Sequence, residues 1–270
     1  MAPFDLQTVI NALDYQRARE IISSFVRSYV EGAGARGVVV GLSGGVDSTV
    51  TAALAVEALG PERVLGLFMP SRHTPPEDAA DVAEVAKALG IRLITVDITP
   101  IVESFAKALP GYSESERVAV GNIMARVRMT ILYYYANRDN LLVAGSGDRS
   151  ELLLGYFTKY GDGGVDILPI GSLYKVQVRE MARRLGFRRI AEKPSSPRLW
   201  QGHTAEGELG APYEVLDVVL YAIYDRKMPL EEAKRAFGSV VDLVVARARA
   251  NAHKLRPPPS PDLSQARRDV

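Results

Sequence analysis

The segment Gly41–Ser48 reads Gly-Leu-Ser-Gly-Gly-Val-Asp-Ser and brings together glycines, hydroxyl groups and a carboxylate. It follows a β-branched run at 37–41 and precedes an apolar stretch with helical spacing, which predicts a strand-to-helix turn. Glycines there let backbone N–H groups approach an anion, and the helix N-terminus adds partial positive charge. The hydroxyl groups of Ser43 and Ser48 can donate further hydrogen bonds. The loop therefore predicts a phosphate-binding site.

Other known loop types with similar residues match this segment less well. The segment lacks the Gly-Lys-Ser/Thr of a Walker A loop and the spacing of a dinucleotide-binding loop. Residues 41–45 also satisfy G-x-S-x-G, the nucleophile elbow of α/β-hydrolases, with His253 as a candidate base. Several strands precede that elbow, whereas Ser43 follows the first predicted strand, and His253 adjoins a proline-rich tail. A plain turn would explain the glycines but not the hydroxyl and carboxylate groups.

Lys175 stands out because of its position on a predicted helix. Tyr174, Val178 and Met181 form an apolar stripe over 174–185, and Ser172 is the predicted N-cap. Lys175 would then lie in the first turn, where the helix dipole disfavours a cation and Glu would complete a capping box. A residue that breaks a local rule indicates function, although a solvated lysine is the simpler alternative.

Composition narrows the class of protein. The 270 residues are 47% hydrophobic and 24% charged, which is typical of a folded globular chain. With 33 basic and 32 acidic residues, the near-neutral charge argues against a polyanion-binding surface. The absence of Cys excludes disulfides, thiolate metal sites and a Cys nucleophile. No signal peptide or membrane helix is recognisable, so a cytoplasmic protein is predicted.

Strand and helix patterns alternate along the chain, and this predicts a doubly wound parallel sheet with helices on both faces. The stretch 192–210 is long and rich in Pro, Ser and Gly, which is typical of a mobile lid or binding loop. We predict one domain over 1–270, additional C-terminal helices, and a flexible tail at 257–270. The predicted strands are 37–41, 64–69, 93–97 and 141–144, and the predicted helices are 6–30, 49–59, 76–89, 101–109, 115–137, 174–185, 213–224, 230–237 and 240–254.

The motif Ser-Gly-Gly-Val-Asp-Ser resembles the PP-loop of the ATP pyrophosphatase superfamily. Six further segments, over nearly the whole chain, resemble ammonia-dependent NAD synthetases: GNIMARVRM (121–129), residues 146–151, residues 153–175, KPS (193–195), ELG (208–210) and HKLRPPP (253–259). The resemblance implies a Rossmann-like fold of the adenine nucleotide alpha-hydrolase type. It also implies that ATP and Mg²⁺ activate the carboxylate of nicotinic acid adenine dinucleotide (deamido-NAD) by adenylation, and that ammonia displaces AMP. A homodimer with the dinucleotide at its interface is implied as well.

The resemblance also assigns roles to individual residues. It implies that Asp47 and Lys175 are catalytic and that Asp47 and Glu151 hold Mg²⁺, whereas helix capping and a favourable first-turn acid are the structural alternatives. The implied ATP-binding residues are Gly41, Leu42, Ser43, Gly44, Gly45, Val46, Asp47, Ser48, Arg72, Ser146, Lys175 and Ser195, and the implied deamido-NAD-binding residues are Arg126, Lys159, Asp166, His253 and Lys254.

Arg126, in this set, has a second arginine, Arg128, two residues further along the chain. Arg126 and Arg128 lie about 200° apart around a helix, so they cannot both serve one ligand. Arg126 is assigned to deamido-NAD, and Arg128 is assigned to the structure or to the dimer. For Arg72, an exposed arginine without a ligand is the alternative.

One stretch departs from the family pattern, and other functions compete. Pro197, Arg198, His203 and Ala205 stand where related sequences tend to carry small residues, Gln and Asp, so no catalytic residue is assigned there. A tRNA-modifying PP-loop enzyme would need a basic patch and, for thiolation, a Cys. A non-catalytic nucleotide sensor would be expected to lack the metal carboxylates. Because glutamine-hydrolysing domains of this class use Cys, free ammonia is the predicted nitrogen source, with a separate glutaminase as an alternative supplier.

Overall fold

The centre of the fold is a parallel sheet in the order β3-β2-β1-β4, seen in a computed structural model that describes residues 3–200 and 202–266. The central strand β1 pairs with β2 on one side and with β4 on the other. Its side chains are buried on both faces, as expected for a parallel sheet covered by helices. The strands are β1 (Gly37–Leu42), β2 (Val64–Phe68), β3 (Arg92–Thr95) and β4 (Leu141–Ala144).

Helices cover both faces of the sheet, which confirms the predicted fold class. Val38 and Val40 pack with α2, α3 and α4, whereas Val39 packs with α6 on the opposite face. The helices are α1 (Leu6–Asn11), α2 (Tyr15–Gly32), α3 (Val46–Leu59), α4 (Pro76–Leu89), α5 (Thr99–Ala108), α6 (Arg117–Asp139), α7 (Arg149–Leu154), α8 (Lys175–Arg184), α9 (Arg188–Ala191), α10 (Ala205–Leu209), α11 (Tyr213–Leu220), α12 (Leu230–Phe237) and α13 (Val240–Asn251).

The additional C-terminal helices that the sequence predicts form a further layer beside these three. Helices α10 to α13 share a separate apolar core with α1, α7 and the start of α8. Tyr174 and Tyr213 are among its largest fully buried side chains. This layer matters for the site because it packs directly on the two short segments, α7 and the start of α8, that follow β4.

Three local predictions were wrong in detail. The predicted helix 6–30 is two helices, since Asp14 ends the first pattern and caps α2 by accepting from the N–H of Arg17 at 3.0 Å. Helix α8 begins at Lys175 with Tyr174 as its N-cap, so Ser172 does not cap it. Helix α11 ends at Leu220 and continues as a single π-helical turn, Tyr221–Asp225, rather than as α-helix to 224.

The strand order creates a switch point between β1 and β4. From β1 the chain proceeds outward to β2 and β3, and it returns to the other side of β1 as β4. Ligands of open parallel sheets bind at the carboxyl ends of the strands at such a point. No helix in the part of the chain that the structure describes has the length and apolarity needed to cross a membrane. The single domain and the flexible tail at 257–270 stay predictions, and residues 267–270 lie outside the described residues.

Candidate active site

A cavity of about 440 Å³ lies at the carboxyl ends of β1, β2 and β4. Its walls come from the loop after β1, the loop after β4, α6, the segment 155–165, and residues 195–208. The size is typical of a small-molecule site. Nine residues predicted from the sequence line it: Gly41, Leu42, Ser43, Asp47, Ser48, Ser146, Glu151, Ser195 and Lys254.

The loop after β1 has the geometry of an anion site. Gly44 adopts φ +77°, and a Cβ there would lie 2.9 Å from the carbonyl oxygen of Asp78. Both facts favour glycine. The Ser48 hydroxyl accepts from the N–H of Ser43 at 3.2 Å, and the hydroxyl of Ser43 lies 3.2 Å from it. Helix α3 starts directly afterwards with Gly45 as its N-cap, a residue with no side chain to accept from the first N–H groups of the helix. The first N–H groups of α3 are therefore available to an anion.

Lys175 is the centre of a buried charge cluster. The side chain is fully buried, and its Nζ lies 2.7 Å from Asp47 Oδ2, 3.1 Å from Asp148 Oδ2 and 3.0 Å from Glu151 Oε1. Asp47 and Glu151 line the cavity, whereas Lys175 does not. The lysine thus lies behind the carboxylates and holds them in place. This explains why a cation occupies the first turn of α8, the feature that singled it out in the sequence.

The start of α8 is held by neighbouring helices as well as by its own first turn, where Gln177 Oε1 accepts from the N–H of Tyr174 at 3.0 Å. The N–H of Lys175 donates to the hydroxyl of Ser150 at 2.9 Å, and the N–H of Val176 donates to Asp217 at 2.9 Å. Ser150 in turn donates to Asp217 at 2.6 Å. Since Ser150 belongs to α7 and Asp217 to α11, two neighbouring helices fix the position of Lys175.

The cluster carries more negative than positive charge. Three carboxylates surround one ammonium, so full ionisation would leave a net charge of −2. Burial, only partly offset by Lys175, raises the pKa of Asp148 to about 7. Burial and the neighbouring carboxylates likewise raise the pKa of Glu151. Burial alone would lower the pKa of Lys175, but the three carboxylates outweigh it and raise that pKa above its usual range.

This arrangement fits a divalent cation bound together with phosphate. Asp47 Oδ1 is buried and has no hydrogen-bond partner among the described residues, so one oxygen of the wall remains to be satisfied. No group of three or more His, Asp or Glu side chains within residues 3–200 and 202–266 could hold a metal alone. Mg²⁺ is commonly bound by one or two carboxylates plus substrate phosphates, which matches Asp47 and Glu151.

Residues from 195–200 and 203–208 form one wall of the cavity, and ion pairs to two buried carboxylates hold this wall in place. Lys193 Nζ lies 2.8 Å from Asp78 and also contacts Asp81, two carboxylates of α4 that are almost fully buried. Arg198 adopts φ +54°, uncommon for a non-glycine residue, and its Nε donates to Asp78 at 3.0 Å. Asp78 also touches Gly44 through its backbone, so the wall and the phosphate loop share one anchor. The predicted lid stretch 192–210 therefore does lie at the cavity, and its mobility stays a prediction.

Other predicted residues lie outside the cavity. Arg126 donates to the carbonyl of Lys159 at 3.3 Å, and Lys159 donates to the carbonyl of His253 at 3.1 Å, which gathers these three at an outer rim. Asp166 accepts from Tyr133 and from the N–H of Val143 and so fastens β4. Lys254 does line the cavity.

Arg72 also lies apart from the cavity. It pairs with Glu114 at 2.6 Å in a separate small cleft. Gly44, Gly45 and Val46 belong to the phosphate loop but do not line the cavity themselves.

Sequence reasoning missed several cavity residues. Arg128, assigned to structure or the dimer, lines the cavity; its Nε donates to the carbonyl of Met69 at 3.0 Å, and burial lowers its pKa to about 10. Asn122, also in the cavity wall, accepts from the hydroxyl of Thr158 at 2.6 Å. Both Asn122 and Arg128 lie in the segment GNIMARVRM. The motif therefore indicated that this part of α6 belongs to the site, although the sequence did not indicate these two residues individually.

Comparison with known proteins identifies this arrangement. The family model of NAD synthase matches residues 18–258, nearly the whole chain. The chain belongs to the NAD synthase family. The NH(3)-dependent NAD(+) synthetase of Pyrobaculum aerophilum is 68% identical over 262 residues, covering 97% of this chain and 98% of that protein. The corresponding protein of Hyperthermus butylicus is 55% identical and covers 93% and 92%.

Solved structures of this family have the same fold. The NH3-dependent NAD synthetase of Campylobacter jejuni superposes with a TM-score of 0.78 at 30% identity, covering 93% of this chain and all of that chain. The NMN synthetase of Francisella tularensis superposes with a TM-score of 0.82 at 31% identity, covering 93% and 99%. These comparisons confirm the family resemblance seen in the sequence. Like its relatives in this family, the chain is a ligase.

Proposed function

We propose that this protein catalyses the ATP-dependent amidation of deamido-NAD by ammonia, with AMP and pyrophosphate as the other products, the last step of NAD biosynthesis. The observation that carries the proposal is 68% identity to an NH(3)-dependent NAD(+) synthetase over almost the entire length of both chains. The cavity supports it, because a phosphate loop and two metal-suited carboxylates, Asp47 and Glu151, line the same space.

The reaction would proceed in two steps within this cavity. A carboxylate oxygen of deamido-NAD forms a bond to the α-phosphorus of ATP, and pyrophosphate leaves with the electrons of the broken P–O bond. The nitrogen of ammonia then attacks the carboxyl carbon, and AMP leaves. Negative charge builds up on the departing pyrophosphate, so donors fixed in advance would lower the barrier. Ser43, Ser48 and the N-terminus of α3 supply such donors. The hydroxyl of Ser195, which is buried and has no partner among residues 3–200 and 202–266, adds another.

Mg²⁺, held by Asp47 and Glu151, would neutralise charge on the phosphates when bound. The chain supports this role by keeping both carboxylates fixed on Lys175. Arg128 and Lys254, which also line the cavity, would contribute positive charge toward the anionic substrates. We assign Lys175 the role of positioning the carboxylates, and direct contact with ATP remains the alternative predicted from the sequence.

We further propose that deamido-NAD extends from the cavity across a homodimer interface. Three large apolar side chains on or just after α5, at four-residue spacing, are exposed: Ile101, Phe105 and Leu109. Val118, at the start of α6, is 64% exposed and also lines the cavity. Exposed apolar patches of this kind mark protein interfaces. Arg126, Lys159 and His253 at the outer rim are the proposed contacts to the dinucleotide. Light scattering would test the dimer, and cytoplasmic location stays a prediction.

The test is pyrophosphate release from ATP and Mg²⁺ with and without deamido-NAD, together with NAD formation from ammonium or glutamine. We expect release only with deamido-NAD, and NAD from ammonium but not from glutamine. Nicotinic acid mononucleotide should be included as a second acceptor, because an NMN synthetase shares the fold. Faster amidation of the mononucleotide would contradict deamido-NAD as the substrate. No release with either acceptor would reject the proposed reaction.

A further inference from the structure

The chain has one tryptophan, Trp200, and this residue is partly exposed in the wall of the cavity. One face of its indole ring is covered by the imidazole ring of His203, with ring centroids 3.5 Å apart and ring planes 10° apart. The N–H of His203 also donates to the main-chain carbonyl of Trp200 at 3.2 Å. Because the imidazole covers one face, the indole can present only its other face and its edges to the cavity. We call this stacked pair the Trp200–His203 platform.

Hydrogen bonds hold the imidazole in place against the indole. Nε2 of His203 lies 2.8 Å from Glu208 Oε2, and the hydroxyl of Tyr156 donates to the same carboxylate oxygen at 3.0 Å. His203 is only 4% exposed. Tyr156 follows α7 and Glu208 belongs to α10, so two separate parts of the chain fix the ring on which Trp200 rests. An aromatic surface fixed in this way binds a planar ring at a low cost in conformational entropy.

This end of the cavity has a negative character. The face of an indole ring carries the negative part of its quadrupole. The Glu208 carboxylate accepts from Tyr156 and pairs with His203, whereas Arg247 donates to the main-chain carbonyl of Glu208. Burial lowers the pKa of His203 more than Glu208 raises it, so the imidazole is neutral at pH 7 and adds no positive charge beside the indole. A planar ring that carries positive charge therefore fits this surface better than a neutral purine does.

The platform is close to the phosphate loop. Arg198 and Trp200 are two residues apart in the chain, which limits the distance between their Cα atoms to about 7 Å. Nε of Arg198 donates to the carboxylate of Asp78 at 3.0 Å, and the carbonyl oxygen of Asp78 would lie 2.9 Å from a Cβ on Gly44. A ring stacked on Trp200 and a phosphate group at the loop after β1 would therefore occupy neighbouring positions in one cavity.

We propose that the uncovered face of Trp200 is the subsite for the pyridinium ring of deamido-NAD. This inference rests on the proposed function and names the group that distinguishes nicotinate nucleotides from other nucleotides in this cavity. The ring is planar, and its nitrogen is positively charged because it is bonded to ribose. Stacking uses the face of the ring and leaves the carboxylate, which lies at its edge, free to meet ATP. Trp200 is thus a specificity-determining residue that binds substrate and takes part in no proton transfer.

The single tryptophan allows a direct binding test on the wild-type protein. Indole fluorescence is followed while deamido-NAD, ADP-ribose, or ATP with Mg²⁺ is added. ADP-ribose is the matched ligand, because it carries a hydroxyl group in place of the pyridinium ring. We expect saturable quenching by deamido-NAD, since a stacked pyridinium accepts an electron from the excited indole. ADP-ribose and ATP should leave the emission nearly unchanged.

Kinetics of Trp200 variants provide a second test. Trp200→Leu should raise KM for deamido-NAD about 10-fold, because the interaction of a cation with an aromatic face is lost, while KM for ATP stays within about twofold. Trp200→Phe keeps a smaller aromatic face and should recover part of this loss. Phe25→Leu is the matched control, since Phe25 is exposed on α2 and does not line the cavity, and its two KM values should equal those of the wild type.

Specific outcomes would overturn the inference. Absence of quenching by deamido-NAD would do so, and so would equal quenching by ADP-ribose or by ATP, which would place another part of a nucleotide on Trp200. An equal rise of both KM values in Trp200→Leu would indicate a structural role and would overturn it too. If Trp200→Leu does not fold, Trp200→Phe and the titration of the wild type decide. A wild-type protein that shows the selective quenching but forms no NAD would contradict the proposed function and still support the subsite.

Discussion

Replacing Lys175 with Met tests whether the lysine holds the carboxylates of the site. The ammonium contacts Asp47, Asp148 and Glu151 at 2.7–3.1 Å, and the side chain is fully buried. Removing one partner of a buried ion pair costs about 3–5 kcal/mol, because the remaining charges stay buried without compensation. For a chain of 270 residues, that free energy corresponds to a fall in the unfolding midpoint of about 5–9 °C.

Asp47→Asn is the matched variant within the same cluster. It removes one of three carboxylates and leaves Lys175 paired with Asp148 and Glu151. Repulsion among the carboxylates then decreases, and the side chain of Asp47 is 21% exposed, so little burial is lost. We expect its unfolding midpoint to stay within about 2 °C of the wild type. Both variants should lose NAD formation, so thermal unfolding, not activity, distinguishes their roles.

The measurement is thermal unfolding by circular dichroism at pH 7 and pH 5. The deficit of Lys175→Met should shrink at pH 5, because burial raises the pKa of Asp148 and of Glu151, and protonation of these two uncompensated groups removes their charge as the pH falls. A midpoint for Lys175→Met within 2 °C of the wild type at pH 7 would refute the reasoning. Equal destabilisation by Asp47→Asn would refute it as well, since the cluster would then not depend on the lysine in particular.

Three further perturbations have defined outcomes. Gly44→Ala should destabilise the fold by about 1–3 kcal/mol and raise KM for ATP, because Gly44 has a positive φ and lies close to the carbonyl of Asp78. Gly32→Ala is the control, since Gly32 has open space around it, and it should change neither the stability in denaturation assays nor KM for ATP in kinetic assays. Burial raises the pKa of Asp217 to about 7, so this carboxyl group stabilises the fold most below its usual pKa, and the stabilisation is lost as the pH rises toward 7. Urea titrations from pH 4 to 7.5 should show the wild type losing stability relative to Asp217→Asn, and parallel curves would contradict this. Lys193→Met should leave the Asp78 carboxylate under-compensated and expose residues 195–204 to faster proteolysis, while unchanged cleavage would argue against the anchor.

Much of the fold follows from patterns that are local in sequence. The helices 76–89 and 230–237 and the strand 141–144 were predicted with their observed bounds, since apolar spacing, Pro at the start and Gly or Asn at the end act over a few residues. The helix break near Asp14 was missed because apolar residues keep helical spacing on both sides of it. Such a pattern does not show that a capping side chain ends one helix and begins another.

Site residues that belong to a short sequence motif were predictable, whereas contacts between segments distant in sequence were less so. The phosphate loop, Asp47 and Glu151 were found from short motifs, and they share one cavity. That Lys175 lies behind the carboxylates depends on Ser150 and Asp217, which are far apart in sequence. The opposite positions of Arg126 and Arg128 were predicted, but helical geometry alone does not say which one faces the cavity.

The Lys175 cluster also has a consequence for the order of synthesis. Translation makes the three carboxylates before their counter-ion, and Asp217, which holds the start of α8, is made later still. Until then the carboxylates can keep their hydration only if β4 and α7 do not close over them, because dehydrating unpaired charges is costly. The first three strands need no such partner and can pair early. A nascent chain that stops before α11 would therefore hold a formed sheet beside an open, hydrated site, and the site would close only after α11 has been made.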